Sequence, residues 1–192
     1  MSSAAGARSV HTIGHSTRTL EELAALLSES AVQTVVDVRS IPRSRHNPQF
    51  NIETLPQALL AFGIGYYQHF PELGGRRHRA RDAPPSPNTY WQNDSFRNYA
   101  DYAMTAGFAR GMEKLRALAG RSSCAIMCSE AVWWRCHRRI ISDYLLAEGF
   151  DVSHIMGPHQ IEVATPTPGV MRAPDGTLIY PAELEPTPDP RR

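Results

Sequence analysis

The segment Ser123 to Cys128, SCAIMC, constrains this chain more than any other. It is apolar almost throughout and shows no alternation, as a strand covered on both faces must be. Strands of that kind belong to the interior of a parallel sheet, which requires crossover helices and strand neighbours elsewhere in the chain. The sequence supplies them. Val10-His11-Thr12-Ile13 is a β-like run ended by Gly14 and the polar His15-Ser16-Thr17. Leu20 to Leu27 then carries apolar residues at helical spacing, with Thr17 or Thr19 placed to cap it and Glu21 and Glu22 in its first turn. Thr34 to Val38, TVVDV, is a second strand, closed by Arg39-Ser40-Ile41-Pro42.

The pattern continues along the chain. Pro42 to Asn51 reads as a loop, and Ile52 to Phe62 as a helix that starts properly at Pro56, where proline is tolerated in the first turn. Gly65 to Phe70 is a third strand. The stretch from Pro71 to Tyr90 is longer than an ordinary connection, which is typical of binding loops. Phe96 to Leu118 is expected to be one helix, weakened at Gly107 and Gly111. A helix from about Arg135 to Ala147, ended by Gly149, and a fifth strand from Asp151 to Met156 complete the set. The expected fold is therefore α/β: an open, mostly parallel five-stranded Rossmann-like sheet with helices on both faces, over residues 10–156. Residues 1–9 are expected to be a flexible N-terminus. Residues 157–192 form a proline-rich extension holding eight of the fifteen prolines. In it, Asp175-Gly176-Thr177 can turn a small hairpin, and the tail ELEPTPDPRR should be mobile.

Composition narrows the function. A chain of 192 residues with 42% hydrophobic and 20% charged residues is long enough for one sizeable core. Its mean hydropathy of −0.36 and the lack of any long apolar run argue against a membrane protein. The start, MSSAAGARSV, has no apolar core of a secretory signal. Three cysteines, Cys124, Cys128 and Cys136, are too few and too clustered for a disulfide framework, so the cytoplasm is the expected location. The net charge is only +1, yet Arg39, Arg43, Arg45, Arg76, Arg77, Arg79 and Arg81 fall close together, and Lys114 is the only lysine. Arginine suits planar, bidentate recognition of phosphate or carboxylate, although a genome rich in arginine codons would give the same bias without the clustering.

The candidate chemistry gathers at two places. Cys128-Ser129-Glu130 ends the inner strand, where open α/β sheets bind ligands. Cys136-His137-Arg138 opens the next helix, where free N–H groups and the helix dipole favour an anion and lower a thiol pKa. Glu130 is a candidate general acid or base if burial raises its pKa, and Cys136 or Cys128 a candidate nucleophile; the bland reading makes the cysteines small buried hydrophobes. Asp37 is a further catalytic candidate, or the partner that orients Arg39. Arg39, Arg45, Arg76, His137, Arg138, Ser16, Gly74 and Gly75 are the expected substrate-binding residues. No metal site is assigned, because Cys128-x7-Cys136-His137 lacks a short CxxC knuckle; that spacing also departs from the redox CxxC. His11, His15 and His154 would matter only if their strands were neighbours. Neither GxxxxGK[ST] nor a first-strand GxGxxG is present. Aromatics such as Tyr66, Tyr67, Tyr90 and Trp91 interleave with the arginines as in base-stacking surfaces, or else simply fill the core.

HTIGHS, VVDVRSIPRSRHNPQFN, YYQHFPELGG, the YADY segment, MCSE, CHRR and HIM together resemble the bacterial and archaeal family known as domain of unknown function 488. The likeness runs from about Val10 to Met156. It implies a Rossmann-like domain and a polar signature at Gly14, Ser16, Asp37, Arg39, Pro42, Arg45, Phe50, Asn51, Leu73, Gly74, Gly75, Cys128, Glu130, Cys136, His137 and Arg138. His15 departs from the aromatic residue of many relatives. The family implies no reaction, and cofactors stay unknown. Three functions fit the residues: an enzyme acting on a phosphate-bearing substrate such as a nucleotide or nucleic acid, a non-catalytic nucleic-acid or anion-binding module, and a thiol redox or metal-binding protein.

Overall fold

The computed structural model describes residues 8–182. The first seven residues of the expected flexible N-terminus and the ELEPTPDPRR tail lie outside the described residues. The expected open, mostly parallel α/β sheet is present, with one strand more than the five expected. β1 (Ser9–Gly14), β2 (Thr34–Asp37), β3 (Tyr66–His69), β4 (Cys124–Cys128) and β5 (Asp151–Gly157) run parallel, in the spatial order β3-β2-β4-β1-β5. The sixth, β6 (Gln160–Val163), folds back antiparallel on β5 after a tight turn. All four of its residues are exposed, so no periodic apolar signal marked it in the sequence.

SCAIMC lies at the centre. β4 is buried at every position and hydrogen-bonded to β2 on one side and β1 on the other. Its pleat divides the core in two. Cys124, Ile126 and Cys128 face one side, where α3 (Asp94–Ala103), α4 (Ala106–Ala119) and α5 (Arg138–Ala147) pack. Ala125 and Met127 face the other, where α1 (Leu20–Glu29) and α2 (Leu55–Ala61) bury Leu23, Leu27, Leu55 and Leu59. Helices thus cover both faces, which is why β4 needs apolar residues on both.

Local signals set the helix ends. Thr19 begins α1 with a reciprocal capping box: its Oγ1 accepts from the Glu22 N–H at 3.1 Å, and the Glu22 carboxylate accepts from the Thr19 N–H at 2.7 Å. α2 starts at Leu55 with Pro56 in its first turn, later than Ile52. The single helix expected over 96–118 is two. α3 ends at Ala103, and Thr105 caps α4 by accepting from the Phe108 N–H. The apolar period carries on across the break and hid the cap. α5 starts at Arg138, and Trp133–Arg135 before it form a separate 3-10 turn.

The chain beyond β6 lies against the α3–α5 side. β7 (Met171–Arg172) and β8 (Leu178–Ile179) form a two-stranded hairpin. Tyr180 is fully buried beside them: its hydroxyl donates to Asp143 at 3.0 Å, and its backbone bonds to Asn88 and Tyr90. These contacts anchor the end of the long loop that began at Pro71. Among the described residues no helix is long and apolar enough to cross a membrane.

Candidate functional site

Three central strands end side by side, and their ends floor the site. Gly14 closes β1 against the loop after β4 so tightly that a Cβ there would sit 1.9 Å from the Glu130 carbonyl oxygen. The two loops then travel together: the His15 N–H donates to the Cys128 carbonyl at 2.9 Å and the Ser16 N–H to that of Ser129 at 3.0 Å. Above them opens a cleft of about 850 Å³, at the carboxyl ends of the strands where α/β sheets hold ligands. Arg39, Arg43, Arg76, Arg77 and Arg135 line it against only two carboxylates, Asp94 and Glu130, so its field is positive.

One side of the floor is a closed polar network. The buried Asp37 carboxylate accepts from the Arg39 backbone N–H at 3.0 Å, from its Nε at 2.9 Å and from its Nη2 at 2.5 Å. The Tyr67 hydroxyl adds a fourth bond at 2.6 Å. Arg39 also donates to the Phe50 carbonyl at 2.7 Å and to His15 Nε2 at 3.2 Å. Because guanidinium only donates, His15 Nε2 accepts, and its Nδ1 carries the proton given to the Ser16 carbonyl at 3.0 Å. Burial, aided by the Arg39 charge, pushes the His15 pKa down to about 4. The imidazole stacks on Phe50 with centroids 4.2 Å apart.

The other side is made of sulfur and imidazole. Cys128 ends β4, Cys136 precedes α5, and His137 Nδ1 lies 4.0 Å from the first sulfur and 3.6 Å from the second. Arg138 is 1% exposed; its Nε donates to Cys136 Sγ at 3.2 Å and its Nη2 to the Glu130 carbonyl at 2.6 Å. Burial pushes the Cys136 thiol up, but a hydrogen bond from Cys128 and the charge and N–H groups of Arg138 outweigh it and bring the pKa down to about 6. Cys128 moves the opposite way, its thiol proton held by the hydrogen bond to Cys136 and by burial. The two sulfurs are thus pushed in opposite directions, Cys136 toward the thiolate and Cys128 toward the thiol. His137 Nε2 lies 3.0 Å from the Val38 carbonyl, which only accepts, so Nε2 bears a proton and Nδ1 is the ring nitrogen that faces the sulfurs. Gly75 lies flat on that ring: a Cβ would be 2.3 Å from Nδ1 and 2.7 Å from Cε1.

The structure gathers Ser16, Arg39, Gly75, Arg76, Cys128, Glu130, Cys136 and His137 around one cleft. Asp37 and Arg138 lie beneath it, both buried and fully engaged with protein partners. Gly74 is buried against Ser40, and Arg45 is exposed outside the cleft lining. Glu130 is exposed at the mouth. Trp133 stacks on His154 at 4.5 Å and donates to Glu162, so it packs the loop against β5 and β6. Sequence reasoning missed Arg135, whose guanidinium meets no acceptor among the described residues, as is also true of Arg76. Its place on the 3-10 turn beside the CHR motif was the available signal. His11 and His154 sit on adjacent strands but bond to Ser153 and Thr12, away from the sulfurs.

A family model described as Domain of unknown function DUF488 matches residues 19–145. No curated protein and no solved structure matches the chain.

Proposed function

The chain belongs to the DUF488 family, a membership that names no reaction, and we propose that it is an enzyme acting on a phosphate-bearing substrate of the nucleotide or nucleic-acid class. The observation that carries this reading is the meeting, in one strand-end cleft, of two arginines that find no protein acceptor among the described residues with the Cys136 sulfur, held by Arg138 Nε at 3.2 Å. Arg76 and Arg135 reach the cleft with guanidinium forks that meet no acceptor among the described residues, the group best matched to a phosphate. Arg43 and Arg77 add positive field while bound to Glu53 and to the Gly74 and Pro71 carbonyls. A space of about 850 Å³ accommodates a mononucleotide or the end of a strand. Below it stand the sulfurs of Cys136 and Cys128 with His137 Nδ1 beside them.

In this reading Arg76 and Arg135 hold the phosphate, Ser16 and Gly75 border it, and Glu130 at the mouth exchanges protons with solvent. Arg138 keeps Cys136 charged and in place, while Asp37 and Arg39 fix the floor. A reducing, cytoplasmic setting suits a site that depends on unoxidised sulfur. The test is calorimetric binding of inorganic phosphate, a mononucleotide and a short oligonucleotide, with turnover of the same panel. Arg76→Ala and Arg135→Ala should each weaken binding about tenfold or more. Cys136→Ser should abolish turnover while binding persists. Absence of binding by every phosphate ligand at low salt sinks the proposal, and binding without turnover reduces the protein to an anion-binding module.

A further inference from the structure

The floor of the cleft contains more than a nucleophile needs. Cys128 Sγ, Cys136 Sγ and His137 Nδ1 all lie within 4.8 Å of one another, from the end of β4 and the start of α5. A tetrahedral zinc ion with Zn–S near 2.3 Å and Zn–N near 2.0–2.1 Å places sulfur and nitrogen ligands about 3.5 Å apart. The S···N separations in the structure are 3.6 and 4.0 Å. Three further features set the donors for a cation. His137 Nε2–H is committed to the Val38 carbonyl, the arrangement by which a ligating histidine has its tautomer and orientation fixed. The ring cannot swing away, because the Gly75 backbone covers one face and Tyr99 leans on it with centroids 4.9 Å apart. Arg138 Nε–H on Cys136 Sγ offsets the charge of the thiolate a metal requires.

We propose that Cys128, Cys136 and His137 are the three protein ligands of a zinc-class metal centre whose fourth position opens onto the arginine-lined cleft. Two thiolates and an imidazole select a borderline-soft ion and disfavour magnesium or calcium. Three ligands with one position free mark a reactive centre, since structural zinc sites close with four. The open position faces the space where Arg76 and Arg135 would hold an anionic substrate, so metal and arginines converge on one bound molecule. This deepens the enzyme reading and rests on it only for the use of the fourth position. Coordination takes both sulfurs as thiolates, and any thiol protons they carry leave to solvent.

The experiment uses the full chain, stripped with a chelator and titrated with Zn²⁺ and with Co²⁺. One equivalent of metal per chain is expected, with a thiolate-to-cobalt charge-transfer band. Cys128→Ser, Cys136→Ser and His137→Gln should each lose that band, and Cys124→Ala, four residues up the same strand, should keep it. Should the ligand variants fail to fold, the wild-type chain still decides: Zn²⁺ should slow alkylation of Cys128 and Cys136 at least tenfold. Metal far below one equivalent on folded protein, with unchanged alkylation, overturns the centre. So does an unaltered cobalt spectrum in a folded Cys136→Ser chain. Nucleotide binding measured in the chelated protein separates the two proposals: if it persists while no metal binds, only the metal centre falls.

Discussion

The two halves of the cleft floor are built from similarly polar residues, yet they differ in how completely those residues are satisfied. On the β2 side each residue of the Asp37–Arg39–Tyr67–His15 network is hydrogen-bonded to another protein group at 2.5 to 3.2 Å. On the β4–α5 side His137 Nδ1 lies 3.6 and 4.0 Å from the two sulfurs, farther than the 3.2 Å from Arg138 Nε to Cys136, and both sulfurs and the ring line the cleft. A closed buried network holds structure. A set of polarizable donors left partly unmatched beside a cavity is poised to take a ligand. The same contrast divides the arginines: Arg39 and Arg138 are buried and bonded to protein groups, whereas the Arg76 and Arg135 guanidinium groups line the cleft and meet no acceptor among the described residues.

If the β2 side is a brace, Asp37→Ala should be the most damaging single change. It strands the buried Arg39 charge without its partner, a loss of about 3–5 kcal/mol. Urea unfolding of the purified variant measures this directly. Tyr67→Phe, which removes one bond and leaves the ion pair, should cost only about 1 kcal/mol. A cost below 1 kcal/mol for Asp37→Ala would erase the distinction drawn between the two sides.

Taken group by group, acid should act next in size, and again through buried groups. His15 and His154 have pKa values lowered by burial from 6.5 to about 4. Between those values the unfolded chain takes up protons that the folded chain refuses. Stability is therefore fully present above about pH 6.5 and falls as pH drops toward 4, by up to about 3 kcal/mol for each histidine. Urea midpoints taken across that window should decline steadily, and His15→Asn should flatten part of the slope. A midpoint that rises on acidification would contradict neutral burial of both imidazoles.

Gly75→Ala comes third. The added methyl meets His137 Nδ1 at 2.3 Å, so ring or loop must shift, at about 1–3 kcal/mol. The sharper readout is chemical. Displacing the imidazole should change the alkylation rate of Cys136, whereas a destabilised but locally intact site would leave that rate unchanged.

These effects depend unequally on what a sequence displays. SCAIMC announced a covered central strand because burial on both faces imposes a composition, and Thr17 or Thr19 with Glu21 and Glu22 announced the start of α1 because capping is local; the structure selects Thr19. Thr105 was an equally local signal, but the apolar period of α3 runs into that of α4 and concealed the break. β6 carried no signal, being exposed at every position. CxE followed by CHR was legible as a strand end and a helix start, which located the site. The approach of Cys128, Cys136 and His137 depends on how α5 leaves the sheet, and a spacing rule for CxxC knuckles does not describe it. The roles of the arginines were illegible for a plainer reason: burial is a tertiary property, and Arg39, Arg76, Arg135 and Arg138 look alike until their neighbours are known.

That difference sets the smallest expected change in stability. Arg76 and Arg135 spend their guanidinium groups on no protein acceptor among the described residues, so Arg76→Ala and Arg135→Ala should each alter unfolding by less than about 0.5 kcal/mol. Their effect belongs to binding, where loss of a charged hydrogen bond to phosphate is worth about 1.5–3 kcal/mol. Arg138→Ala should invert the pattern, because it empties a buried site and leaves Cys136 and the Glu130 carbonyl without their donor. Unfolding curves and phosphate-ligand titrations of the three variants, side by side, place each arginine on one side of the divide. Equal losses of stability in all three would mean that the exposed arginines brace the fold as well, and the cleft would then have no cation reserved for a ligand.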